Sequence, residues 1–190
     1  MQNLSADDRA ALLTLARSAI AAELVDGAGV KRPADDSAAL NEKCGCFVTL
    51  HKNAALRGCI GTIEARQPLL SAVEETARHA AFDDPRFPPL AADELPAVAI
   101  EISVLSVPTA LAYDDADDLL AKIQPGVHGL IISKAWHSAT FLPQVWDQLP
   151  DKKSFLEHLC LKAGLERDCW KADGLTVKTY TVSHFSEQSI

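Results

Sequence analysis

The chain has 190 residues, 48% of them hydrophobic and 23% charged, with a formal net charge of −8. That is enough chain, of ordinary globular composition, for one domain with a conventional core, and the longest apolar runs fall far short of the ~20 residues a membrane-spanning helix needs. The acidic balance disfavours a nucleic-acid partner, because gripping a phosphate backbone requires Lys and Arg gathered on one face, and the densest basic stretches are only Lys31-Arg32 and Lys152-Lys153.

The first element is a helix over residues 6–24. Ser5 is suited to the N-cap, Asp7 and Asp8 sit in the first turn, and Leu12, Leu13, Ala16, Ile20 and Leu24 recur at helical spacing. No basic n-region precedes an apolar run at the start, so no secretory signal is expected and the cytoplasm is the expected compartment. Asp26-Gly27-Ala28-Gly29 ends the helix, and the stretch from Lys31 to Lys43 reads as an exposed loop or a short helical piece.

Cys46–His51 and Leu56–Gly61 read as a strand pair around a turn at Asn53-Ala54. Continuous pairing from that turn sets Cys59 opposite Val48 and Arg57 opposite Leu50, and a slip of one residue would reverse the second strand. Pro68 opens a second amphipathic helix that runs to about Phe82. Asp83–Pro89 is a proline-pinned loop, and Ala97–Ser106 is a strand with Val98, Ile100, Ile102 and Val104 on one face. Asp114–Gln124 is a helix stopped by Pro125-Gly126. Val127–Lys134 and Ala139–Leu142 form a further strand pair, Lys153–Ala163 is a helix closed by Gly164, and Leu175–Val182 is a terminal strand. Strand pairs joined by tight turns and interleaved with helices give an α+β fold with a mainly antiparallel sheet and flanking helices, taken as a single unit over residues 1–190.

At Leu56-Arg57-Gly58-Cys59-Ile60-Gly61-Thr62 the sequence resembles the signature of the AMMECR family, whose bacterial members are labelled protein A of the AmmeMemoRadiSam system. The resemblance continues in order through Phe47–Leu50, Asp84–Phe87, Glu101–Leu105, Gly129–Ile132, Thr140–Trp146 and Lys162–Leu165. It implies a two-lobed α+β fold, and a gene neighbourhood shared with a Memo-like protein and a radical S-adenosylmethionine enzyme, which become the expected partners. It implies no defined reaction. At Trp136-His137-Ser138 the chain departs from the glycine-containing turn that the resemblance leads one to expect.

Cys59 is the sharpest candidate for chemistry. Gly58 and Gly61 remove side chains around it, so that either a substrate or another backbone can approach. A nearby Arg57 would stabilise a thiolate and orient a carboxylate or phosphate. The plainer alternative is a small packed thiol with glycines marking a bulge. Glu101 interrupts an apolar strand and must be paired, solvated or raised in pKa; it is a candidate base, or a partner for Arg57 or Arg86. Asp84 and Arg86 lie in the stiff loop, as a binding rim or as an internal ion pair. Gln144, within Phe141–Trp146, either reads a polar ligand or fastens its segment to the sheet.

Arg57, Cys59, Glu101 and Gln144 are expected to converge on one cleft that binds or acts on a small molecule. A non-catalytic binding or adaptor module is the competing reading. Five cysteines, an odd number, point to reduced thiols. Cys44-x-Cys46 lacks the spacing of a zinc knuckle and no second pair appears, so no metal or other cofactor is expected.

Overall fold

The computed structural model describes residues 4–25, 28–34 and 37–187. In chain order its elements are α1 (Ala6–Leu24), α2 (Ala38–Asn41), β1 (Cys46–Lys52), β2 (Ala55–Thr62), α3 (Leu69–Phe82), β3 (Val98–Leu105), β4 (Thr109–Ala110), α4 (Ala116–Lys122), β5 (Gly129–Lys134), β6 (His137–Phe141), α5 (Lys152–Lys162), β7 (Thr176–Tyr180) and β8 (Val182–Ser186), with short 3-10 turns between some of them. The fold is α+β, and the strands form two four-stranded sheets. The chain divides into two compact units: Met1–Leu105 with Ser183–Ile190, and Ser106–Val182. Among the described residues no helix is long and apolar enough to cross a membrane.

The first unit is a sheet of order β2-β1-β3-β8 with α1 and α3 packed on its core side. Helix α1 begins where the sequence places it. The Ser5 hydroxyl accepts the Asp8 N–H at 3.1 Å and the Asp8 carboxylate accepts the Ser5 N–H at 2.9 Å, a reciprocal capping box. Asp26 and Gly27, expected to end the helix, lie outside the described residues. Leu12, Leu15, Ala16 and Ile20 of α1, Leu69, Val73 and Ala77 of α3, and Val48, Leu50, Ile100 and Ile102 of the sheet are all sealed from solvent. Each buried aliphatic side chain of the Val, Leu or Ile type contributes roughly 1.5–3 kcal/mol. The alternation read along β3 holds, with Val98, Ile100, Ile102 and Val104 all buried.

The β1–β2 hairpin turns at Asn53 (φ 53°) and Ala54 (φ 63°), the left-handed pair that a two-residue type I′ turn requires. Near the turn the pairing is as expected, with Lys52 opposite Ala55 and His51 opposite Leu56. It then shifts: Leu50 faces Gly58 and Thr49 faces Cys59, so Arg57 is the extra residue of a β-bulge. The expected pairs Cys59–Val48 and Arg57–Leu50 are therefore corrected by one residue. The consequence is large, since a one-residue shift moves side chains to the other face. Gly58 and Ile60 join Cys46, Val48 and Leu50 on the core side, and Cys59 and Gly61 join Phe47 and Thr49 on the opposite side.

The second unit is a sheet of order β4-β7-β5-β6 with α4 and α5. Its core is built on Phe155, whose ring stacks on Trp146 at 3.6 Å between centroids and meets Phe141 edge-on. Helix α5 closes as its glycine suggests. Gly164 (φ 73°) follows the cap, its N–H reaches the Leu161 carbonyl, and the Leu165 N–H reaches the Cys160 carbonyl. Where a glycine would be usual at the β5–β6 turn, Ala135 takes a positive φ of 53°. Two expectations are corrected in this region. Cys160 and Cys169 form a disulfide rather than two reduced thiols. The terminal strand is also two strands, β7 in this sheet and β8 in the first.

Candidate functional site

Strand β2 is an edge strand, and the bulge at Arg57 settles which of its side chains leave the core. Cys59 and Thr49 are directly paired, and Thr49 is in turn paired with Glu101 on β3. Directly paired residues point to the same face, so Cys59, Thr49 and Glu101 form one row across three strands on the side away from α1 and α3. All three are partly exposed. The Thr49 hydroxyl donates to the Cys59 sulfur at 3.3 Å. The Glu101 carboxylate has no hydrogen bond or ion pair among the described residues. Two strand spacings, roughly 9–10 Å, separate Cys59 from Glu101. Direct proton exchange between them is out of reach, but one small molecule can touch both.

The backbone at Cys59 turns its polar groups to the free edge of the sheet, where the Asp84 loop meets them. The Cys59 N–H donates to Asp84 Oδ2 at 2.8 Å, and the Cys59 carbonyl accepts Arg86 Nη2 at 3.1 Å. Arg86 also holds both oxygens of Asp84, through Nε at 2.9 Å and Nη2 at 2.6 Å, and its own N–H donates to Oδ1 at 3.1 Å. The Arg86 guanidinium and then the two backbone N–H groups hold the Asp84 carboxyl well below the usual carboxylate range, against the opposing effect of burial. Asp84 and Arg86 thus form an ion pair that caps an otherwise open strand edge and fixes the Cys59 backbone. The Arg86 side chain remains 54% exposed, a positive charge at the edge of the row.

Arg57 has a different occupation from the one its position suggests. Its Nη2 and Nε donate to Glu94 at 2.8 and 3.2 Å, while Lys52 reaches the same carboxylate at 2.8 Å. Arg57, then Lys52 and the Ala91 N–H, hold the Glu94 carboxyl well below its ordinary range. The Arg57 guanidinium lies 5.9 Å from the Phe87 ring centroid, and its Nη1 is buried without a hydrogen-bond partner among the described residues. The guanidinium that touches Cys59 is therefore that of Arg86, and Arg57 braces the hairpin to the loop before β3.

Gly58 is buried, and its open side faces helix α3. A Cβ there would lie 2.1 Å from the Ala80 carbonyl oxygen, so the close approach it permits is that of another backbone. Gln144 lies in the second unit, exposed on the 3-10 turn Pro143–Asp147 beside the buried Trp146. Thr49 and Glu94 were missed by sequence reasoning. Thr49 reads as an ordinary strand former, and Glu94 is remote in sequence from Arg57. Cys46 is buried against Thr76, and burial pushes its thiol up to about 12, which leaves it inert at neutral pH. Among the described residues no group of three His, Cys, Asp or Glu side chains is placed to hold a metal ion.

The AMMECR1 family model matches residues 13–185 of this chain. A protein of Methanocaldococcus jannaschii, MJ0810, is 42% identical over 154 residues, covering 77% of this chain and 75% of that one. A protein of Thermofilum pendens is 39% identical over 198 residues, covering 98% and 93%. The crystal structure of an uncharacterised Pyrococcus horikoshii protein, PH0010, superimposes with a TM-score of 0.75 at 38% identity, over 94% of this chain and 90% of that one.

Proposed function

We propose that this chain, which belongs to the AMMECR1 family, binds a small polar molecule on the sheet face that carries Cys59, Thr49 and Glu101. The observation that carries the reading is the row itself: three polar side chains in register on adjacent strands, one of them a carboxylate with no partner among the described residues. A buried or half-buried carboxylate is costly to leave unpaired, and a ligand donor would satisfy it. Cys59 stands at the other end as the nucleophile or contact group. Its thiol is ordered by the Thr49 hydroxyl, and its backbone is fixed by Asp84 and Arg86. In the cell the protein would act with a Memo-like protein and a radical S-adenosylmethionine enzyme, which would supply or consume the ligand.

Metabolite profiling of a deletion strain beside strains carrying Cys59→Ala or Glu101→Gln tests this reading. Both variants should reproduce the metabolite change of the deletion while the folded protein stays at normal abundance. Variants that behave as wild type would remove the site. A non-catalytic binding module is the second reading. It is favoured by the commitment of Arg57 to Glu94, which leaves the thiol without that activating cation. Under it, Glu101→Gln alters the metabolite profile and Cys59→Ala does not.

A further inference from the structure

The bulge at Arg57 also decides what stands beside the Cys59 row. The pairing of β1 with β3 is unbroken from Cys46–Val104 to Lys52–Val98, and Leu50 is sealed in the core. Alternation therefore turns His51 outward, onto the face of Thr49, Cys59 and Glu101. His51 is two residues along β1 from Thr49, which is paired with Cys59 on one side and with Glu101 on the other. It is thus diagonal to both, at the spacing of roughly 7–8 Å that an aromatic or long side chain can cover. Opposite His51 on β3 is Ala99, whose methyl group leaves the imidazole space to turn.

The Cys59 thiol acts as a nucleophile only if its proton has somewhere to go. The Thr49 hydroxyl is not that place, since it donates to the sulfur. Asp84 meets the Cys59 N–H, but Arg86 and two backbone N–H groups hold its carboxyl well below the usual range, which makes it a poor base. Glu101 is two strands away from Cys59. Phe47 flanks Thr49 on the other side along β1 and offers no acceptor; its ring lies over Gly61, where a Cβ would come within 2.3 Å of it. Of the other charged or titratable groups nearby, Lys52 and Arg57 are bound to Glu94, and Arg86 is a cation. His184, turned outward beside the buried Phe185, is on β8, beyond β3. The half-buried His51 ring makes no hydrogen bond or ion pair among the described residues. It is the nearest uncommitted proton acceptor.

We propose that His51 is a further catalytic residue of this face, the proton acceptor for Cys59, and that the ligand it serves is a small carbonyl compound. This role rests on the Cys59 row being the binding site. In the step, the sulfur bonds to the carbonyl carbon and the π pair moves to the carbonyl oxygen. The thiol proton passes to the His51 imidazole and from there to that oxygen, so no oxidant or reductant is consumed. An imidazolium must hand its proton on, and the carbonyl oxygen is the acceptor that the ligand brings. Glu101 is the positioning group: one of its oxygens holds the imidazole N–H, and the other remains for a ligand donor.

The test uses the full chain, with iodoacetamide as the probe, because alkylation needs the same removal of the thiol proton. The rate at Cys59, read by peptide mass spectrometry, should be level from about pH 6.5 to about pH 8 and fall below that, where an ordinary imidazole takes up a proton. In His51→Gln the rate at neutral pH should drop about tenfold, short of the effect of a base on its own substrate, and should climb steadily with pH instead. Glu101→Gln should lower the rate less, and His184→Gln should leave it as in wild type. The buried Cys44 and Cys46 report on the fold, since they stay unlabelled while it is intact. Acetaldehyde should protect Cys59 from labelling reversibly, and its failure to do so overturns the carbonyl assignment. An unchanged rate and profile in His51→Gln overturns the role of His51, and so does the absence of a break near pH 6.5 in the wild-type chain, which needs no variant to fold. The row itself is tested separately by the metabolite profile of Cys59→Ala; wild-type behaviour there removes the row and the role of His51 with it.

Discussion

Replacing Gly58 by alanine separates a packing role for this residue from a ligand-facing one. The new Cβ would be placed 2.1 Å from the Ala80 carbonyl oxygen and 3.2 Å from its carbonyl carbon. Carbon–oxygen contacts settle at about 3.3–3.6 Å, so from 2.1 Å strand and helix would have to part by about 1.2–1.5 Å. Neither obstacle is the tip of a flexible side chain; both sides of the clash are backbone, one in β2 and one in α3. Overpacking of a well-filled core costs about 1–3 kcal/mol where side chains can adjust, and this contact belongs at or above the upper end. For a chain of this length about 3 kcal/mol corresponds to a fall in Tm of roughly 6–12 °C. The assay is a urea or thermal melt followed by far-ultraviolet circular dichroism, with Gly29→Ala as control. A Cβ at Gly29 meets nothing within 4 Å, so the control should stay within about 0.5 kcal/mol of wild type. If Gly58→Ala also stays within that margin, the contact with α3 is not what requires a glycine, and the argument is refuted.

Three further outcomes follow from the same geometry. The native Asp84 and Glu94 carboxyls titrate below their unfolded counterparts, so the unfolded chain binds more protons and stability falls as pH drops through about 4; Asp84→Asn should flatten that dependence in acid melts, and an unchanged slope would count against the Asp84–Arg86 pair. Iodoacetamide at neutral pH should modify the half-exposed Cys59 well before Cys46, read by peptide mass spectrometry, and equal rates would contradict the burial that holds the Cys46 thiol up at about 12. Reducing the Cys160–Cys169 bridge, which spans a sequence separation of 9, should lower stability by about 2–3 kcal/mol. A double Cys160→Ala, Cys169→Ala variant should lose its sensitivity to reductant, and persistence of that sensitivity would place the effect elsewhere.

Much of the first unit was legible because its signals are local. The start of α1 is written in Ser5 and Asp8, the turn in Asn53-Ala54, and the alternation of β3 in four aliphatic residues two apart. The bulge at Arg57 was not legible. Inserting one residue in a strand changes no composition, yet it reversed the faces of Cys59 and Gly58 relative to continuous pairing. The partner of Arg57 was hidden for a related reason, since Glu94 lies in a loop that reaches the hairpin only through the tertiary fold. Cysteine parity gave the wrong expectation for Cys160 and Cys169, because pairing depends on how α5 folds back toward the turn before Ala172. The strand expected over Leu175–Val182 runs on into β8 with only Thr181 between, and the change of sheet at that point leaves no mark in the hydrophobic pattern.

Strand β8 carries a consequence for how the chain is made. The first unit is interrupted: it needs a strand that follows the whole of the second. Glu187 shows how firmly that strand is tied, since Arg17 of α1 binds both its carboxylate oxygens, at 2.5 and 2.6 Å, and the Ile100 N–H donates to the same group at 2.9 Å. On the ribosome, then, the part of the chain synthesised first is completed last. Through the time taken to add residues 106–182, the β3 edge stands without its neighbour and Arg17 without its carboxylate, while the later-made unit can already close. The vulnerable interval in synthesis therefore falls on the unit that carries Cys59, and ends only when β8 leaves the exit tunnel.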